Sequence, residues 1–115
     1  IDAQLVGQPR KGLFNRDGES FNVGETFAGL PYELGVDLSQ EVTALTPPGM
    51  TTAQFAQRWI LDCDAVSVVI PGASSPRQAR GNAAVSDLPS LSPDLHARLA
   101  DFYEDKVRDN IRGPY

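Results

Sequence analysis

Residues 65–70 read "AVSVVI"; five of the six are apolar and three are valine. A strand with one wet face alternates apolar and polar residues, and this segment does not. Continuous apolarity is the pattern of a parallel strand covered on both faces. The spacing predicts a strand over about 65–70, and it sets a problem. A parallel strand needs neighbours for its N–H and C=O groups, and no other segment of these 115 residues reads as a confident strand.

The flanks are helical. Upstream, Thr51 and Gln54 make a capping box, and Met50 can staple onto Phe55. Phe55, Ala56, Trp59 and Ile60 then form an apolar face that ends near Asp62 to Asp64. Before that, a helix is predicted from Pro31, because a first-turn proline lacks only an N–H that has no helical partner anyway. Its stripe is Leu34, Leu38, Val42 and Leu45, and Pro47, Pro48 and Gly49 stop it. Downstream, Ser75 and Gln78 form a second capping box around Pro76, opening a helix to about Val85. The linker "SDLPSLS" leads to Ser92 and Pro93, which open a last helix lined by Leu95, Leu99 and Phe102. The tail "RDNIRGPY" reads as a loop. Residues 1–29 read as a long loop: five glycines break any period, and Phe14, Phe21 and Phe27 pin it. The order is loop, helix, helix, strand, helix, helix. A solitary covered strand in that order predicts part of a larger α/β fold.

Composition limits the functions. Net charge is -5, against nucleic-acid binding, which needs a basic face. No apolar run approaches the ~20 residues that span a bilayer. The N-terminal "IDAQLVGQPRKG" has no signal-peptide core. It opens on Ile1 rather than Met, so a translation start is expected upstream. One Cys and one His argue against a zinc site. Cys63, between two aspartates, is expected to be an inert buried or half-buried thiol, and a cytoplasmic setting fits it. His96 is expected to be solvated, and Asp101, Glu104 and Asp105 form a solvent face. Tyr32, Tyr103 and Tyr115 are packing or tail residues.

The junction "VVIPGASSPRQARGN", Val68 to Asn82, carries the chemistry. A strand ends, Gly72 lets a partner approach the backbone, and a helix N-terminus follows with N–H groups that attract phosphate. Ser74 and Ser75 add hydroxyls. Gln78 and Asn82 share one helix face, and Arg77 and Arg80 add charge. These features fit either a phosphate cradle or an ordinary capped turn that binds nothing. The single Gly of "PGASSP" is not a dinucleotide-fold fingerprint.

The string "RWILDCDAVSVVIPGASSPRQARGNAAV" closely resembles the C-terminal region of aldo-keto reductases. The resemblance extends to "FNRDGESFNVGETFAG", like the long loop after the seventh strand in a bacterial subgroup, and to the tail from Leu91. It implies a (β/α)8 TIM barrel of about 250 residues, of which this α/β chain is the last third: residues 1–29 the loop, 30–91 helix-helix-strand-helix with the cofactor loop, and 92–115 the terminal helix and tail. It implies NADP-dependent reduction of a small aldehyde or ketone. This chain would hold the adenosine and 2′-phosphate end of NADP(H). Gly72, Ala73 and Ser74 would face the phosphate, Gln78 stands where the family has Gln or Arg near it, and Asn82 matches the Asn that meets the adenine. Gly72 replaces a Lys of some members, and Gly81 departs from an acidic or amide residue; both imply modest 2′-phosphate and adenine contacts, with NADP still preferred over NAD. The family's catalytic Asp, Tyr, Lys and His come from the first half of the barrel. That half is expected to be missing here, leaving the chain inactive alone. The alternative is a helical interaction module or inactive homologue, with "AVSVVI" buried between helices or paired across a dimer.

Overall fold

The computed structural model describes residues 29–111. Four helices carry it: α1 (Tyr32–Ala44), α2 (Thr52–Leu61), α3 (Pro76–Ala83) and α4 (Pro93–Phe102). A 3₁₀ turn, Ala84–Asp87, prolongs α3; a π turn, Tyr103–Val107, and a 3₁₀ turn, Arg108–Asn110, prolong α4 into what the sequence predicts as a loop. The loop expected over residues 1–29, with Phe14, Phe21 and Phe27, lies outside the described residues up to residue 28, as does Tyr115.

The helix starts follow their caps. Pro31 is the N-cap of α1 rather than its first residue. Thr51 Oγ1 accepts from Gln54 N at 3.2 Å, and Gln54 Oε1 accepts from Thr51 N at 3.0 Å, so the box of α2 is complete. Such a cap contributes about 1 kcal/mol. Ser92 Oγ accepts from Leu95 N at 3.2 Å to start α4. Between α1 and α2, Gly49 has φ +86, a conformation that favours glycine.

The core forms where these helices meet. Phe55 of α2 is 1% exposed and is buried with Leu91 and Leu95; Val42, Leu45, Met50 and Leu99 pack around them. Burying a side chain of this size stabilises by about 2–3 kcal/mol. Lys106 pairs with Glu41, joining the π turn after α4 to α1. Among the described residues no helix is long and apolar enough to cross a membrane.

The strand expected over 65–70 does not form. Val66 N–H donates to Cys63 O at 2.9 Å, closing the turn after α2. From Ser67 to Pro71 the backbone then makes no hydrogen bond to any described residue. No strand lies beside it among the described residues, and although apolarity can make a segment suitable for a sheet, only a neighbour supplies the ladder. Nor is the segment buried between helices, the first of the two arrangements expected of an interaction module. Val68 is 68% exposed and Ile70 91%, and on α2 Trp59 remains 49% exposed. Large apolar side chains left exposed on a segment are the kind of surface that an interface covers.

Candidate functional site

The junction after the apolar segment folds back on itself. Ser75 caps α3, its Oγ accepting from Gln78 N at 3.2 Å, and Pro76 sits in the first turn. The reciprocal half of the predicted box is displaced by one residue. Gln78 Oε1 accepts from Ser74 N at 2.7 Å and from Ser74 Oγ at 2.8 Å, instead of from Ser75 N. Two donors on one residue outcompete one. Four residues on, Asn82 Nδ2 donates to Gly72 O at 3.1 Å, so the turn is clasped to the helix at both ends.

Beside the clasp lies an open groove of about 400 Å³ between the apolar segment, α2 and α3. Pockets for small ligands start near this size, at about 300 Å³. Ala73 and Asn82 line it with Gln57, Leu61 and Val69; Ser74 and Gln78 are not in its lining. The structure therefore brings the predicted residues together in two groups: Ser74 with Gln78 over the helix start, and Ala73 with Asn82 at the groove, where Asn82 also holds the Gly72 carbonyl.

The donor set suits an anion. Ser74 offers an N–H and an O–H once Gln78 Oε1 releases them, and Arg77 N–H lies in the first turn of α3, where Pro76 has no N–H and Gln78 N is held by Ser75. Arg77 and Arg80 are exposed, and neither has a carboxylate partner among the described residues. A Cβ placed on Gly72 would meet nothing within 4 Å, and its φ is not left-handed. The chain's own packing makes no demand for glycine there, which leaves room for a ligand at the backbone. The same holds at Gly81, where a helical glycine costs about 1 kcal/mol relative to alanine.

Two amides of α2 support this junction; the sequence marks Gln54 only as half of a capping box and does not single out Gln57. Gln57 Nε2 donates to Asn82 Oδ1 at 2.9 Å, and Gln54 Nε2 donates to Gly81 O at 3.3 Å. Their three-residue spacing, which sets both on one helix face, was the available signal.

A second polar cluster lies at the end of α2. Asp62, with its side chain only 6% exposed, accepts from Leu91 N at 2.8 Å and meets His96 Nε2 at 2.9 Å and Arg58 at 2.9 Å. Burial alone would raise the Asp62 carboxyl; the Leu91 N–H, His96, the Ser90 hydroxyl and the Arg58 charge outweigh it and hold the group below its ordinary value. His96 is thus a bonded residue, not the solvated one expected, because α4 starts against the end of α2. Cys63, expected to be at least half-buried, is exposed on the turn beside Asp62. Asp101, Glu104 and Asp105 do face solvent. Among the described residues no three His, Cys, Asp or Glu side chains converge on a metal-sized site.

The Aldo/keto reductase family model matches residues 10–104. No curated protein and no solved structure matches the chain.

Proposed function

Since the chain belongs to the aldo/keto reductase family of oxidoreductases, we propose that it is the part of an NADP-dependent carbonyl reductase that holds the adenosine and 2′-phosphate end of the cofactor. The observation that carries this reading is the clasped turn. Gly72, Ala73 and Ser74 stand exposed between the apolar segment and α3, and Asn82 closes the turn from the groove side.

In this reading Ser74 and the first-turn amides of α3 take the phosphate, and Gln78, released from Ser74, donates its own side-chain N–H to it. Asn82 meets the adenine edge in the groove. When bound, the cofactor supplies the hydride that reduces the carbonyl of a small aldehyde or ketone. The residues of this chain orient the nucleotide and touch no reacting atom. The family's proton-donating Tyr, with its Lys, Asp and His partners, belongs to the barrel half outside these residues. The 115 residues alone therefore reduce nothing. The exposed Val68 and Ile70, and Trp59 on α2, are the apolar residues that the rest of the (β/α)8 barrel covers. A cytoplasmic enzyme fits the unpaired Cys63.

The test is a fluorescence titration of the full-length barrel with NADPH and NADH. Asn82→Ala is expected to weaken both cofactors about tenfold, the cost of one good polar contact. Gln78→Ala is expected to weaken NADPH more than NADH. Unchanged affinity in both variants contradicts the assignment.

A further inference from the structure

We propose that Gln57 is a positioning residue for adenine recognition: its amide sets which way the Asn82 amide faces. This rests on the cofactor reading above and adds a residue to it.

A terminal amide has two ends of nearly equal shape, one accepting and one donating, so its neighbours decide the orientation. Asn82 has two such neighbours. Gln57 Nε2 is a donor and sits 2.9 Å from Oδ1. Gly72 O is an acceptor and sits 3.1 Å from Nδ2. The two contacts agree, and a flipped amide would lose both.

Counting valences shows what remains. The Asn82 oxygen has two lone pairs and the nitrogen two hydrogens. Gln57 takes one lone pair, and Gly72 takes one hydrogen. One acceptor and one donor are left on the same planar group, at a residue that lines the groove. That pair matches the adenine edge, where the N6 amino group donates and N7 accepts. Gln57 thus uses up one valence of Asn82 and fixes the sense of the other two.

Gln57 can hold this position because α2 is tied to α3 twice. Gln54, one turn earlier on the same face, donates to the carbonyl of Gly81, the residue before Asn82. Gln57 itself also lines the groove. It orients Asn82 from the side, and the adenine is read by Asn82.

The experiment compares NADPH with its reduced hypoxanthine analogue, in which a carbonyl oxygen replaces the adenine amino group. Both are titrated against the full-length barrel carrying Gln57→Met, Gln57→Glu, Asn82→Ala, or Gln57→Met with Asn82→Ala. The readout is the ratio of the two dissociation constants, which a general loosening of the fold does not move. The parent protein is expected to prefer NADPH about tenfold, the scale of one discriminating amide contact. Asn82→Ala is expected to abolish the preference. Gln57→Met, of similar length but without a donor, is expected to cut it to about twofold, and Gln57→Glu, which accepts but cannot donate, to do the same. The double variant should match Asn82→Ala alone, since the two residues act in series. If Asn82→Ala abolishes the preference and both Gln57 variants keep it, the role of Gln57 is overturned and the cofactor reading stands. If Asn82→Ala itself changes neither the ratio nor the affinity, the Asn82 contact falls and this inference falls with it.

Discussion

Asp62→Ala is expected to lower the unfolding free energy by about 3 kcal/mol, the scale for removing one partner from a buried ion pair. Asp62 ends α2, and its carboxylate is shared by Leu91 N, His96 and Arg58. Removing it leaves a nearly buried guanidinium and a buried backbone N–H without that partner. The damage reaches the core, because Leu91 packs with Phe55 and Leu95. The pH dependence follows from the direction of the shift. The folded carboxyl titrates below its ordinary value of 3.8, so its contribution is full above that value and is lost as pH falls through the lowered one. Urea unfolding of wild type and Asp62→Ala should therefore show the full gap at pH 7, closing in acid. A gap below about 0.5 kcal/mol at pH 7, the range of an ordinary surface change, contradicts this account of the cluster.

Val68→Asp is expected to have opposite consequences in two settings. In the 115-residue chain Val68 is 68% exposed, so the change should stay within about 0.5 kcal/mol. In the full-length barrel, where we propose that this face is covered by neighbouring strands and packed side chains, the same aspartate buries a charge without a partner. The cost there is several kcal/mol, enough to exceed a domain's margin of about 5–15 kcal/mol or consume much of it. The measurement is thermal unfolding of both proteins with and without the substitution. Equal, small shifts in both settings would mean that nothing covers the segment.

Local chemistry was legible in this sequence and distant pairing was not. Thr51, Ser75 and Ser92, with Pro76 and Pro93 behind two of them, mark the starts of α2, α3 and α4 where the structure has them, because a cap acts within one turn. Of the stripe Leu34, Leu38, Val42 and Leu45 on α1, Leu38 is fully buried and the other three are partly buried. The Gln78 half of its box was misread because Ser74, just outside the motif, offers two donors. His96 and Asp62 are 34 residues apart, and no spacing rule connects them. The apolar run 65–70 was visible as a segment that wants cover; whether it joins a sheet depends on residues that are not its neighbours in sequence. The turn residues Gly72 to Ser74 were visible as a site candidate, whereas Gln57, which steers Asn82, reads in isolation as one more polar residue of an amphipathic helix.

Amide hydrogen exchange at Ser67, Val68, Val69 and Ile70 tests the central claim most directly. In the 115-residue chain these amides, which bond to nothing described, should exchange at close to unprotected rates. In the full-length barrel they should be protected roughly a thousandfold or more, as core strands are. Free exchange in both proteins would contradict the claim that this segment is a barrel strand leading into a nucleotide site.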